Sequence, residues 1–357
     1  MPLPPALRSL RRVPRYAGLL RPVLASNVGR LEAPWKLTFA VTYVCNHRCS
    51  HCRIWERRPK GELSTADIEA VFAANPQLRW VDLTGGEPTA RKDFPALLAA
   101  AGRSLPELLV LHFPTNGSRP DKAIEAAVAA RDHTAAKVII TVSLDGPRDV
   151  HDGIRGIPGA WDAAIDTFAR LRALDGVDVV LGLTITPDNA GAIERTWAAA
   201  RARLGVLGRD ELHVNVAQHS AHFYGNTAST LASPADVERA LAFVDRVPRS
   251  PFDLMERAYR ALVPRFLEQR GSPVRCQSLS ASAFLDPWGT VYPCITEDRP
   301  LGKLADHGWS FAAMWPHLAE AAEDMAEGRC AGCWTPCEAY QSLLGSLPAA
   351  AGAAIRG

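Results

Sequence analysis

Six runs of apolar, β-branched residues punctuate the first two-thirds of the chain: Leu37 to Val44, Trp80 to Leu83, Leu108 to Phe113, Lys137 to Leu144, Val177 to Ile185 and Leu212 to Val216. Each is followed, after a loop, by an Ala-rich stretch with apolar positions at helical spacing. These lie around Ala66 to Ala74, Phe94 to Ala101, Ala123 to Ala130, Trp161 to Leu174, Ala192 to Leu204 and Pro234 to Val247. Short apolar runs bounded by turn residues read as strands, and apolar positions three and four apart read as helix. Strand and helix in such alternation predict an α/β fold with a parallel sheet, which right-handed crossovers curl into a barrel or a partial barrel. Ligands of parallel α/β folds gather at the carboxyl ends of the strands. The loops after the first four strands, namely the cysteine-bearing VCNHRCSHC, TGGEP (Thr84 to Pro88), TNG (Thr115 to Gly117) and SLDG (Ser143 to Gly146), therefore open on one face.

The chain has 357 residues and a formal charge of +2, room for one large domain with a smaller one attached and no basis for expecting nucleic acid as a partner. Its charge is uneven. Arg8, Arg11, Arg12, Arg15, Arg21, Arg30 and Lys36 precede the first cysteine, with Glu32 the only acid among them. Interleaved with Leu7, Leu10, Val13, Tyr16, Leu19 and Leu20, they suit a basic amphipathic segment touching a membrane surface or an acidic partner. Pro14 and Pro22 interrupt a long helix, so a packed or frayed arm over residues 1–34 is the plainer expectation. No window has the apolar length of a transmembrane span and no signal-peptide core is visible, which points to the cytoplasm.

All eight cysteines fall in two groups, Cys45, Cys49 and Cys52 near the start and Cys276, Cys294, Cys330, Cys333 and Cys337 near the end. Clustered C-x2-C spacing in an intracellular chain suits chelation better than cross-linking. Three thiolates hold three irons of a [4Fe–4S] cluster, which ordinarily takes four, and the fourth iron keeps an open position for a chelating amine and carboxylate. A zinc knuckle completed by His47 or His51 is the alternative at the first group, and a zinc ribbon at the second.

C-x3-C-x2-C after a first strand and Gly85-Gly86-Glu87-Pro88 after a second resemble the radical S-adenosylmethionine (SAM) superfamily. The resemblance implies a partial (β/α)6 TIM-like barrel over residues 35–250. At its mouth a [4Fe–4S] cluster binds SAM, takes one electron from an external donor of flavodoxin or ferredoxin type, and cleaves SAM to a 5′-deoxyadenosyl radical. By the same resemblance Gly85, Gly86 and Glu87 meet the amino group of SAM, Ser143 and Arg155 approach its carboxylate or ribose, His51 stands beside the adenine, and Asn116 and Asn189 lie near the cofactor. Carbonyls and a carboxylate suit an ammonium, and a guanidinium suits a carboxylate. For Arg155 the plainer alternative is a surface Arg in a polar Gly/Pro loop.

The second group, Cys276-x17-Cys294 with G-x4-C from Gly289 and then Cys330, Cys333 and Cys337, resembles the family's twitch and SPASM extensions, here residues 276–340. FLDPWGTVYPC reads as a hairpin. Five cysteines cannot fill two four-ligand clusters, so one auxiliary [4Fe–4S] cluster is expected, either on Cys276, Cys294, Cys330 and Cys333 or with Cys337 replacing one of the pair. An auxiliary cluster without an open iron favours electron transfer and net oxidation or cross-linking. In the sulfatase-maturing branch an Asp follows the G-x4-C cysteine. Here it is Ile295, with Glu297 as a nearby substitute, which puts formylglycine formation in doubt. Residues 251–275 read as a bridging helix with Met255, Tyr259 and Phe266 in the core, and 341–357 as a disordered tail. Because Met1 to Pro34 is short for a leader-peptide domain, the expectation tilts towards a small metabolite or lipid-linked substrate over a ribosomal peptide. A non-catalytic iron–sulfur carrier and a zinc-dependent binding module are the readings from other classes.

Overall fold

The computed structural model describes residues 5–244 and 251–356. Helix α1 (Pro5–Val28) leads into β1 (Lys36–Thr42), then α2 (Thr65–Ala73), β2 (Trp80–Gly85), α3 (Phe94–Ser104), β3 (Val110–Thr115), α4 (Pro120–His133) and β4 (Lys137–Ser143). Two helices, α5 (Arg148–Arg155) and α6 (Ala160–Arg172), precede β5 (Val177–Ile185), and α7 (Ile193–Leu204) precedes β6 (Leu212–Val216). Helices α8 (Pro234–Val244), α9 (Pro251–Ala261) and α10 (Val263–Gln269) lead to a hairpin of β7 (Ser282–Leu285) and β8 (Val291–Tyr292). Four short helices close the chain: α11 (Phe311–Met314), α12 (Ala319–Ala326), α13 (Pro336–Leu344) and α14 (Leu347–Arg356).

All strands join one sheet in the order β6-β5-β4-β3-β2-β1-β7-β8. Strands β1 to β6 are parallel, each to the next, as the alternating pattern predicts. Side chains alternate between the faces of a strand. One face sends Leu37, Phe39, Val41, Leu83, Phe113, Ile140 and Leu183 into a core shared with the crossover helices. The other face carries Lys36, Asp82, His112 and Thr141. There Lys36 Nζ lies 3.0 Å from Asp82 Oδ2, His112 Nδ1 3.1 Å from Asp82 Oδ1, and His112 Nε2 2.9 Å from Thr141 Oγ1. Lys36 has no solvent exposure, so its charge is held by this pairing and is not part of a basic surface.

Several expectations need correction. Helix α1 runs through Pro14 and Pro22. Its final turns are anchored: Val23 packs with Trp35, Trp80 and Leu109, and Asn27 Nδ2 donates to Leu344 O at 2.8 Å. Arg30 is also drawn inward, donating to the carbonyls of Leu279 and Trp315. The side chains of Arg8, Arg11, Arg12 and Arg15 lie outside the described ones, as do residues 245–247 of the expected helix from Pro234. The expected bridging helix is two, broken where Leu262 caps α10 and Pro264 enters its first turn. The C-terminal stretch is not a disordered tail. Helix α14 has Ala353 buried in the main core.

The hairpin β7–β8 is not a separate lobe. Strand β7 pairs in parallel with β1, Lys36 opposite Ser282 through Phe39 opposite Leu285, so the C-terminal segment continues the sheet. Helix α13 lies against the inner face, where Lys36 donates to Cys337 O, Tyr340 stacks on Trp80 and Ser282 Oγ donates to Glu338.

Candidate active site

The first three cysteines lie directly after β1. Their loop is gripped from two sides. From β2, Gly86 N donates to Thr42 O at 2.8 Å and Glu87 N to Val44 O at 2.9 Å. From α5, Arg155 O and Ile154 O accept from Arg48 N and Ser50 N, both at 2.9 Å. The glycines are required by this contact. A Cβ on Gly85, at φ +133°, would sit 2.0 Å from Thr42 O, and one on Gly86 would sit 2.3 Å from Val44 O.

Burial pushes the Cys45 thiol up to about 11 and Cys52 to about 12, and raises Cys49, while each of Cys45 and Cys52 is raised further by the Cys49 charge. Thiols that oppose one another's ionisation in a dry site need a cation to become thiolates together. Arg155 supplies part of it, with Nη1 3.7 Å from Cys49 Sγ and Nη2 2.6 Å from Asp145 Oδ2. Among the described residues no three His, Cys, Asp or Glu side chains are gathered tightly enough for a single metal ion. A polynuclear iron–sulfur cluster, with its thiolates on separate irons, makes a looser demand, and the three-thiol loop fits it.

The neighbouring motif residues make bonds of their own within the fold. Glu87, 1% exposed, spends both oxygens within the fold: Oε1 accepts from Thr89 N, Thr89 Oγ1 and Thr115 Oγ1, and Oε2 from Asn116 N at 2.7 Å. It ties the loop after β2 to the loop after β3. Asn116 Nδ2 donates to Asn46 Oδ1 at 2.9 Å, joining the β3 loop to the cysteine loop. Asn189 is committed to Asp145 O, Thr184 O and Thr186 N. Arg155 is not a surface residue but 8% exposed, on a helix where a polar loop was the alternative. Ser143 stands half-buried at the end of β4.

His51 lines a cavity with Thr184, Asn215, Val216, Gln218, Tyr224 and Thr335. Four buried polar atoms point to a missing polar partner there: His51 Nδ1, Asn215 Oδ1, Gln218 Nε2 and Thr335 Oγ1 have no hydrogen bond. Burial lowers the His51 imidazole below its usual range, so it is neutral near pH 7.

In the second group, a hydrogen bond from the Cys333 thiol holds Cys294 below its ordinary value, and Cys276 and Cys330 each feel the Cys294 charge. Backbone amides also point at the sulfurs: Ser278 N to Cys276 at 3.4 Å, Glu297 N to Cys294 at 3.3 Å and Gly332 N to Cys330 at 3.4 Å. Cys337 is pushed up to about 12 by burial and by Asp82, beside Lys36 and Glu338 on the inner face of the sheet. Glu297 does not stand free in place of the missing Asp, because its Oε2 accepts from Ala331 N at 2.9 Å.

The segment after β6 was not singled out by sequence, since it carries no motif, yet it staples the two thiol groups together. Asn226 Nδ2 donates to His51 O at 2.9 Å, and Arg57 donates to the carbonyls of Ala221, His222 and Phe223. On the other side Ser220 Oγ donates to Ile295 O at 2.6 Å, and Trp334 N to Gln218 Oε1 at 3.0 Å.

Residues 39–196 match the family model described as the radical SAM superfamily. The chain is 30% identical over 331 residues to mycofactocin maturase MftC of Mycobacterium ulcerans, covering 90% of this chain and 84% of that protein. The corresponding protein of Mycolicibacterium smegmatis is 28% identical over 323 residues, 85% of this chain and 76% of that one. Among solved structures, anSMEcpe with bound AdoMet and the Cp18Cys peptide superposes with a TM-score of 0.56 at 15% identity, over 91% of this chain and all of that one. Streptococcus suis SuiB bound to precursor peptide SuiA does so with 0.53 at 15%, over 82% of this chain and 66% of that one. With this fold, this loop and a relative 30% identical across nine-tenths of this chain, the chain belongs to the radical SAM superfamily, whose enzymes use a [4Fe–4S] cluster and SAM.

Proposed function

We propose that this radical SAM enzyme matures a ribosomally made peptide by net oxidation. Cys45, Cys49 and Cys52 hold the SAM-binding cluster, and Cys276, Cys294, Cys330 and Cys333 an auxiliary one. When bound, the first cluster with SAM supplies the radical that takes a hydrogen atom from the peptide, and the second supplies a place for the electron left behind. The observation that carries this proposal is the segment 217–226, hydrogen-bonded on one side to the three-thiol loop and on the other to the stretches that carry Cys294 and Cys333.

The chain's own residues divide the work. Gly85 and Gly86 bring backbone against the cysteine loop, Arg155 balances thiolate charge, and Ser143 marks the end of β4 facing the methionyl portion of SAM. The cavity beside His51 takes the adenosyl portion, its unpartnered Asn215, Gln218 and Thr335 groups offering both donors and acceptors. A peptide is preferred over a small metabolite because the relatives matched across most of the chain are maturases.

The test uses anaerobically reconstituted protein, SAM, dithionite and a synthetic mycofactocin precursor peptide. The expected result is 5′-deoxyadenosine together with a peptide of lower mass. Formation of 5′-deoxyadenosine with the peptide mass unchanged overturns the peptide assignment.

A further inference from the structure

The final turns of α1 fasten it to the end of the sheet away from the cysteine loop. Val23 packs with Trp35, with Trp80 and Val110 at the starts of β2 and β3, and with Leu109. Another side of the same turns has no such cover. Leu20, Leu24 and Val28, four residues apart, are 58%, 49% and 88% exposed. By helical spacing, positions 10, 13 and 17 continue this row towards the N-terminus, and they are Leu, Val and Ala. Positions 8, 11, 12 and 15, all Arg, fall on the side of the helix away from the row. At the other end of the row Leu347 adds an exposed apolar residue, its backbone N donating to Asn27 Oδ1 at 2.9 Å. Residues 1–31 hold six arginines and no acid, and Glu32, exposed, is the first carboxylate of the chain. Of the six, Arg30 is turned to the carbonyls of Leu279 and Trp315. The acids at this end of the sheet have partners of their own, Glu107 with Arg79, Asp132 with Arg131 and Asp178 with Lys137.

We propose that α1 is a membrane-surface anchor, its apolar row entering the headgroup region of a bilayer rich in anionic lipid and its arginines meeting the lipid phosphates. A helix with leucines along one side and arginines along the other lies in the plane of such a surface. Charge selects this occupant. A second copy of the chain would bring two arginine-rich helices together with no acid in either, whereas an anionic bilayer is attracted by each arginine near it. No helix among the described residues is long and apolar enough to cross a membrane, so the contact is peripheral. Because α1 is fastened where the strands begin, seating it on a bilayer turns the cysteine loop, which follows the end of β1, away from the lipid and leaves it open to substrate. The anchor does not depend on the substrate being a peptide.

The test is flotation of the anaerobically reconstituted full chain with vesicles of phosphatidylcholine alone or of phosphatidylcholine with about one-third phosphatidylglycerol. Wild type is expected to bind the anionic vesicles about tenfold or more tightly than the neutral ones, and to be released from them by salt. Two variants divide the contributions, Leu20→Ser/Leu24→Ser for the apolar row and Arg11→Gln/Arg12→Gln/Arg15→Gln for the charge. Each is expected to bind the anionic vesicles about tenfold or more weakly than wild type while keeping its iron content and its rate of 5′-deoxyadenosine formation in solution, which separates loss of the anchor from loss of the fold. The proposal is overturned by a wild type that floats with neither vesicle or equally with both, or by variants that bind as wild type does. A wild-type dimer in light scattering that the Leu20→Ser/Leu24→Ser change dissociates would also overturn it, assigning the row to a second copy of the chain.

Discussion

At the scale of single residues, the sequence names the chemistry but not the neighbours. The thiols and the Gly-Gly-Glu loop are legible because their types and spacing carry meaning locally. The job of Glu87 is not, because a carboxylate that meets an ammonium and one that staples two loops look alike in sequence. Four donors from Thr89, Thr115 and Asn116 hold both of its oxygens within the fold. The same holds for Arg155, whose partners Cys49 and Asp145 are distant in sequence. The glycines have a consequence that can be measured. A Gly86→Ala methyl would lie 2.3 Å from Val44 O and 3.0 Å from Cys45 Cβ, so the cysteine loop must move. Overpacking of this kind costs about 1–3 kcal/mol, and G86A is expected to lower the unfolding midpoint and to reconstitute with less iron than wild type. An unchanged midpoint with full iron would show that the contact is not needed.

At the scale of elements, the repeating strand and helix pattern is readable because each unit is set by its own periodicity. The pairing of β7 with β1 is not, since it joins segments far apart in sequence and no local signal records it. Helix α5 was hidden by its Gly and polar content, and α14 by its small apolar residues. Whether Cys337 belongs to the second thiol group was equally open from spacing alone. Its carbonyl accepts from Lys36 on the inner face of the sheet, and the ligand set proposed above leaves it out. Cys337→Ala is therefore expected to keep the iron content of wild type, whereas Cys333→Ala loses about four irons, the content of one [4Fe–4S] cluster. Elemental analysis of the two variants after identical reconstitution decides it, and equal iron loss in both would place Cys337 among the ligands.

For the whole molecule, two thiol groups at opposite ends of the sequence meet because the C-terminal segment extends the barrel sheet. Membership of the radical SAM superfamily sets aside the zinc module and the non-catalytic carrier. Burial also shapes the response to acid. His222, stacked on Tyr292 at 4.3 Å, is lowered to about 4 by burial. Its contribution to stability is complete above the unfolded value of about 6.5 and is lost as pH falls towards 4, because the unfolded chain then binds a proton that the folded one refuses. Glu338, pushed up to about 8 by burial, works in the opposite sense, so the clean comparison is between wild type and His222→Phe. Denaturant unfolding of cluster-free protein at pH 7.5 and 5 is expected to show wild type losing on the order of 2 kcal/mol relative to H222F. A constant difference would contradict the buried neutral imidazole. The most direct measurement is iron and sulfide content of anaerobically reconstituted wild type beside a Cys45→Ala/Cys49→Ala/Cys52→Ala variant. Two [4Fe–4S] clusters predict about eight irons in the first and about four in the second. A variant holding almost none would contradict an independent auxiliary cluster on the C-terminal thiols, and the oxidative mechanism with it.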